Sequence, residues 1–432
     1  MVRIFSIILI LLFTKELGLT QTYFPPKNSN EWKTISTDSL GWCKSKLDEF
    51  YNFLESKDTH SFILLKDGKI VIEKYFNGST TTSKWYWASA GKSLTAFLVG
   101  LALDEGFISL EDTTSKYLGE HWTSCTNEEE NKITIWNQIT MTSGLDDTVD
   151  DPFCTNPSCL QCLSRPGDRW AYHNAPYTLL DGVISNATGQ TLNTFANQRL
   201  LSRTGMDGLF LPVDENNVFW STPRSAARYG LLILNRGVWD GYQILKDTSF
   251  FNSMVHSSQS LNPSYGYLWW LNGKKSYMLP GSQILFNGSI VPEGPADMVC
   301  AMGLNGQFID VVPSQNMVWI RMGEAPDGNL VPYTLNNDIW SYINKFDCSS
   351  AVIDENYDGK ISLFPNPLQD LLHCSVCSQF DFEYKFIDMF GHVVKSGKLD
   401  ESIDVSKLRA GIYMLEVIQG STVLQTERFI KL

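Results

Sequence analysis

The chain has 432 residues, 43% of them hydrophobic and 19% charged. That is more than one ordinary domain and enough apolar material to bury a core, which excludes wholesale disorder. Asp and Glu number 47 against 34 Lys and Arg, for a net charge of −13. With no basic block to neutralise phosphates, nucleic-acid binding is excluded as a function class.

In chain order, Met1-Val-Arg3 is followed by an apolar run from Ile4 to Phe13. One basic residue before a run too short to span a bilayer reads as an export signal over 1–20, cleaved before Gln21. No later segment is long and apolar enough for a transmembrane helix, so no integral membrane segment is expected after cleavage. Ser61–Phe76 holds two β-rich runs around Asp67-Gly68, a hairpin signal. From Ser89 the period changes. Leu94, Phe97, Leu98 and Leu101 recur at i, i+3, i+4 and i+7, predicting a helix with one buried face that Gly106 stops. Thr222–Leu234 also reads as helix. Met298–Met302, Phe308–Val312 and Met317–Arg321 read as consecutive strands, and Thr334–Phe346 as a closing helix. Strands, a long helical insert, strands and a terminal helix make an α+β domain over 21–348, with one antiparallel sheet and a helical subdomain.

After a polar linker at 349–361 the style changes. Short alternating runs at 382–388, 392–396, 403–405, 412–417 and 426–432, separated by Gly391, Gly397, Gly411 and Gly420, predict a small β-sandwich over 362–432. Asp354-x-Asn356-x-Asp358-Gly359 opens like a calcium loop. Its twelfth position is Pro365 where a bidentate Glu is needed, so it reads as a linker turn.

Three runs could carry chemistry. In Trp87-Ala-Ser89-Ala-Gly-Lys92, Ser89 and Lys92 share one helix face, so the amine can reach the hydroxyl and serve as its base if its pKa falls. Two rival readings fail on spacing. A phosphate loop needs Gly where Tyr86 stands, and a nucleophile elbow needs Gly where Trp87 stands. In the second run, Tyr172-x-Asn174, a tyrosine beside a lysine ammonium could be driven towards phenolate and shuttle protons. Asn174 could position the lysine or a substrate amide. The third run, Ala296–Gln307, brings Gly303, Asn305 and Gln307 to a strand edge, where backbone N–H groups could join that of Ser89 in an oxyanion hole. Trp85, Trp87, Trp170, Trp269 and Trp270 suggest an aromatic cleft wall, with Trp85 and Trp87 the best placed.

The six His show no metalloprotease pair, so neither metal nor cofactor is expected. His173 reads as a packed or hydrogen-bonded structural residue. Arg224 and Arg228, a helical turn apart, read as ion-pair residues. Nine Cys leave at least one unpaired, and export favours disulfides, with Cys154–Cys159 the preferred pair, Cys162 able to reach Cys125, and the full connectivity left open.

These motifs carry two resemblances. The first rests on Phe24-Pro-Pro, Lys66-Asp-Gly-Lys69, the Ser89–Lys92 run, Met141-Thr-Ser-Gly-Leu145 and Arg169-Trp-Ala-Tyr-His-Asn174. It continues in Ser221–Gly230 and Tyr265-Gly-Tyr-Leu-Trp-Trp270. Together they resemble the serine β-lactamase/penicillin-binding-protein superfamily, on the branch of class C-like esterases and 6-aminohexanoate-dimer hydrolases. The resemblance implies Ser89 as acylated nucleophile, Lys92 as its base and Tyr172 as proton shuttle, acting on a small-molecule ester or amide. The third-motif strand, Ala301-Met-Gly-Leu-Asn-Gly306, lacks the cation that the superfamily uses for a substrate carboxylate. That argues against β-lactam and D-Ala-D-Ala substrates. The second rests on Phe364-Pro-Asn-Pro367, Ile387–Gly391, Ile403–Leu408, Ala410-Gly-Ile-Tyr413 and Phe429-Ile-Lys-Leu432. It resembles the type A sorting domain of the type IX secretion system, implying secretion machinery as partner and a secreted or surface location. Two rival functions are a D-amino peptidase or penicillin-binding activity on peptidoglycan, and a catalytically silent surface binding protein.

Overall fold

The chain divides into two units, Met1–Ser350 and Ala351–Leu432. The computed structural model describes residues 22–325, 330–348, 363–374, 382–389, 391–399, 402–419 and 422–432. The export segment at 1–20 and the linker at 349–361, with its calcium-like turn, lie outside these.

The strands of the first unit that matter for the site are, in chain order, β1 (Thr59–Lys66), β2 (Lys69–Tyr75), β3 (Trp85–Tyr86), β4 (Leu209–Val213), β5 (Asn216–Ser221), β6 (Trp270–Leu271), β7 (Val299–Gly303), β8 (Gln307–Val312) and β9 (Met317–Gly323). The helices are α1 (Lys44–Ser56), α2 (Gly91–Asp104), α3 (Asn174–Thr178), α4 (Leu180–Thr188), α5 (Pro223–Leu234) and α6 (Tyr333–Ile343). Asp67 and Gly68 take φ of +52° and +78° and turn β1 into β2, as Asp-Gly is suited to do. Six strands form one antiparallel sheet in the order β2-β1-β9-β8-β7-β6, and β3-β5-β4 form a smaller one.

The large sheet is covered on both faces. A methyl on Gly230 of α5 would stand 2.4 Å from Val318 and 3.1 Å from Ile309, so glycine there lets α5 lie directly on β9 and β8. The next residue, Trp319, points the other way. It packs at 5.7 Å on Phe62 and at 6.1 Å on Trp340 of α6, while Phe62 meets Phe50 of α1 at 5.0 Å. Between these layers lies a buried carboxylate. Asp310 of β8 accepts from Asn336 Nδ2 at 3.0 Å and Trp340 Nε1 at 3.0 Å, and burial pushes its pKa up to about 8.

Helix α2 differs from its expected single buried face, because every residue from Gly91 to Ala102 is buried. It runs through the core with α4 and β7 packed against it, so the apolar stripe is only part of an all-round contact. The expected stop holds: Gly106, at φ +76°, donates to Leu103 O at 2.9 Å.

Cys125–Cys162 and Cys154–Cys159 form as expected, and Cys43–Cys348 adds a third bridge across 305 positions. Cys300 is free and buried. Arg224 pairs with Glu73 through two bonds of 2.6 and 2.8 Å. Arg228 departs from the expected ion pair. It donates to the carbonyls of Pro26 and Thr204 at 2.9 Å each and sits between the Trp32 and Trp239 rings.

The second unit has the expected strands, preceded by two more: β10 (Leu363–Phe364), β11 (Leu371–Cys374), β12 (Glu383–Asp388), β13 (Val393–Lys398), β14 (Ser402–Asp404), β15 (Gly411–Gln419) and β16 (Thr422–Lys431). They form two sheets, β10-β11-β14 and β13-β12-β15-β16. Leu372 and Ile403 from the first meet Phe386 and Leu415 from the second in one core, which makes it an all-β sandwich.

Candidate active site

Ser89 lies in a tight turn, Ala88–Ala90, that leads directly into α2. Ala88 holds φ at +45°, a left-handed conformation that costs a residue with a Cβ about 1 kcal/mol. Trp87 fixes this bend. Its backbone N–H donates to Phe219 O at 2.8 Å, its indole N–H donates to Ser221 Oγ at 2.8 Å, and its ring meets Phe219 edge-on. On the other side is β7. A methyl on Gly303 would stand 2.5 Å from Trp87 O, 2.8 Å from Ala90 N and 3.0 Å from Ser89 N. Only glycine lets that strand end lie against the turn.

One helical turn on, Lys92 Nζ donates to Ser89 Oγ at 3.0 Å and to Asn174 Oδ1 at 2.7 Å. Its side chain is buried over the rings of Tyr177 and Tyr172, at 4.4 and 5.1 Å. Burial lowers its pKa from 10.5 to about 7. The Tyr172 hydroxyl lies on the Ser89 side, and burial raises its pKa. That corrects the expected drift towards phenolate: desolvation acts on both groups and favours the neutral phenol beside a neutral amine.

Ser89 and Lys92 open onto a cavity of about 600 Å³. Its aromatic lining is Tyr86, Phe153, Tyr177 and Trp220, its amides are Asn174, Asn216 and Asn217, and its charged rim is Asp151, Asp214 and Glu215. Leu304, directly after Gly303, lines it too.

The expected tryptophan wall is not what lines this cavity. Tyr86 points in, and Trp85, beside it on the short strand β3, points elsewhere by alternation. Trp85 stacks on His60 at 4.0 Å, and Trp87 is 1% exposed in the core. Trp170, Trp269 and Trp270 are also buried, and Trp270 stacks on Tyr172 at 5.8 Å, backing it from behind. Asn305 supports the wall without lining it. Its Nδ2 donates to Tyr86 Oη at 2.8 Å and to Glu324 at 2.7 Å, while the Tyr86 hydroxyl donates to Glu324 at 2.9 Å. Gln307, expected to bind substrate or to support the site, has its side chain in a supporting place. Its Nε2 donates to Gly323 O at 2.6 Å and its Oε1 accepts from Gly323 N–H at 3.1 Å, so both ends are used by the β8–β9 seam. His173 is buried near Asp146, Asp147 and Arg169, and burial lowers its pKa to about 4, so it is neutral.

Sequence reasoning missed Tyr86, Tyr177, Asn216, Asn217 and Trp220. One signal was available. Asn-Asn is a poor way to begin a strand, and a residue pair that opposes its element is there for another reason.

Residues 57–329 match the Beta-lactamase family, and residues 362–431 match the secretion system C-terminal sorting domain. An uncharacterised protein of Alkalihalophilus pseudofirmus is 26% identical over 301 residues, covering 60% of this chain and 82% of that protein. Among solved structures, a putative 6-aminohexanoate-dimer hydrolase from Bacillus anthracis has a TM-score of 0.57 at 18% identity, over 77% of this chain and 91% of that one. A putative beta-lactamase from Bacteroides dorei has a TM-score of 0.56 at 16% identity, over 71% and 99%. At these identities the structural likeness is one of fold.

Proposed function

The chain belongs to the beta-lactamase family, and from that premise we propose that it is a serine hydrolase that cleaves an ester or amide through an acyl-enzyme on Ser89. Its C-terminal sorting domain marks it for export by the type IX secretion system, to the cell surface or the medium. The carrying observation is Lys92 Nζ held 3.0 Å from Ser89 Oγ in a setting that lowers its pKa to about 7. As a free amine, Lys92 keeps one N–H on Asn174 and turns its lone pair to the serine. Ser89 Oγ then bonds the substrate carbonyl carbon while its proton passes to Lys92. The carbonyl oxygen gains charge and takes N–H groups from Ser89 and from the Gly303–Leu304 corner. When the carbon's bond to the alcohol or amine breaks, Tyr172 passes the proton on to the leaving group. Water then repeats the sequence and frees the acid. The absence of a cation on β7 favours neutral esters and linear amides over carboxylate-bearing lactams.

Fluorophosphonate labelling of the full chain tests this. The wild type is expected to label and to hydrolyse neutral phenyl esters, while Ser89→Ala does neither and nitrocefin turns over at least a hundredfold more slowly than the esters. A folded wild type that neither labels nor turns over any ester or amide would overturn the reading.

A further inference from the structure

A second cleft, of about 440 Å³, shares no lining residue with the catalytic cavity. It runs between the chain at 27–30, the loop at 81–84 before β3, and the start of α5. Its walls are fixed. A methyl on Gly205 would stand 2.7 Å from Lys27 Cα, so glycine there lets the 27–30 stretch lie directly against it. Arg224 of α5 holds the other end of that stretch by donating to Asn30 O. The loop is tied to itself, with Thr80 N–H donating to Ser83 Oγ at 3.0 Å and Ser83 N–H to Thr80 O at 3.2 Å.

Lys27, Lys84, Arg224 and Arg228 line this cleft, against one carboxylate, Asp207. Arg224 is neutralised by Glu73. Asp207 gives Oδ1 to the head of α5, where it accepts from Thr222 N–H at 3.0 Å, Thr222 Oγ1 at 2.9 Å and Ser225 Oγ at 2.5 Å. Lys27, Lys84 and Arg228 are left against Asp207, a local positive excess in a chain whose net charge is −13. Lys27 and Lys84 are exposed and have no ion-pair partner among the described residues.

A second observation concerns Arg228 and does not depend on those lysines. It is 5% exposed, yet its Nη atoms donate to the carbonyls of Pro25, Pro26 and Thr204, and among the described residues no carboxylate pairs with it. Burial, and after it the charge of Arg224, lower its pKa to about 10, so it stays cationic at neutral pH. Carbonyls satisfy its N–H groups and leave its charge without a counter-ion, which is costly for a buried cation. Among the described lining residues none is aliphatic or aromatic, and Ser29, Thr81 and Thr82 add hydroxyls.

We propose that this cleft binds a tetrahedral oxyanion, a phosphate or sulfate group, with Lys27 and Lys84 as its contacts and Arg228 as the fixed charge behind it. The anion supplies the counter-charge that Arg228 lacks, and the hydroxyls donate to its remaining oxygens. The wholly polar lining makes any group esterified to the oxyanion polar as well, as a sugar is. This site is independent of the chemistry at Ser89.

Isothermal titration calorimetry of the full chain, at constant ionic strength in chloride, tests it with inorganic phosphate, inorganic sulfate and glucose 6-phosphate, and with glucose as the uncharged control. At least one oxyanion is expected to bind one-to-one, and glucose not at all. Inorganic ions that bind as tightly as the ester identify the free ion as ligand, and a tighter ester identifies a sugar phosphate. In Lys27→Gln/Lys84→Gln the Kd is expected to rise about tenfold or more. In Asp207→Asn, which keeps an oxygen for the head of α5 and removes the like charge, it falls about threefold. Lys44→Gln/Lys246→Gln, which removes two exposed charges outside the cleft, leaves it unchanged. Circular dichroism melting verifies that each variant is folded. Wild type that binds no oxyanion at roughly 10 mM overturns the proposal without needing any variant. So does binding that survives Lys27→Gln/Lys84→Gln, or that weakens equally in Lys44→Gln/Lys246→Gln.

Discussion

Lys92 can act as a base only while it is unprotonated, and its burial decides when that is. With the pKa lowered to about 7, the amine is largely charged at pH 6 and largely free at pH 8. The kcat/KM for a neutral phenyl ester is therefore expected to rise with pH through an apparent pKa near 7, and the fluorophosphonate labelling rate to follow the same curve. Lys92→Met should lower kcat/KM by roughly a thousandfold, within the range of general-base removal. Lys92→Arg should fare no better, because a guanidinium stays protonated. At this scale the sequence was most legible where chemistry forces spacing. Ser89 and Lys92 had to share a helix face, and Tyr172 and Asn174 stood out by following them in order. The cavity wall was illegible for the converse reason. Asn217 and Trp220 come from a strand more than a hundred residues downstream, and Trp87 looks the same in sequence whether it faces a substrate or a core.

Among elements, the meeting of β7 with the nucleophile turn is the contact on which geometry depends most. Gly303→Ala puts a methyl 2.5 Å from Trp87 O, so strand or turn must move. The expected outcome is a labelling rate at Ser89 down at least tenfold, since sub-ångström placement governs attack. Circular dichroism should show the fold retained. The large sheet carries a pH dependence of its own through Asp310, whose pKa is raised by burial to about 8. A carboxyl in the unfolded chain ionises near pH 4. Between about pH 4 and pH 8 the unfolded state releases this proton while the native state retains it, so native stability falls as pH rises across that window and levels off above it. Urea midpoints of wild type and Asp310→Asn, measured from pH 4 to 9, should diverge over that interval in favour of the variant. Periodicity located β7, β8, β9, α5 and α6 well, because apolar runs with turns between them leave few alternatives. It misjudged α2, since a stripe of four apolar residues looks alike on a surface helix and on one enclosed all round.

For the whole molecule, Cys43–Cys348 joins the N-terminal end of α1 to the segment after α6, with Cα atoms 4.9 Å apart. Cross-linking positions so far apart stabilises by up to about 5 kcal/mol in the chain-entropy picture. The Cys43→Ser/Cys348→Ser double variant should therefore melt well below the wild type by calorimetry, with kcat/KM at 25 °C changed by less than twofold, because neither sulfur approaches the cavity. This pairing had no sequence signal, as each cysteine stands alone in its surroundings.

The same bridge has a mechanical meaning. The segment that leads to the sorting domain leaves the first unit beyond Cys348, so any tension drawn through that tail reaches Cys348 first. There the load divides into the bond to Cys43 and does not unwind α6 turn by turn. Everything between the two cysteines, Ser89, Lys92 and Tyr172 included, lies inside a covalently closed ring. A hydrolase hauled outward by its tail would be gripped at the clasp of that ring, with its chemistry out of the line of force.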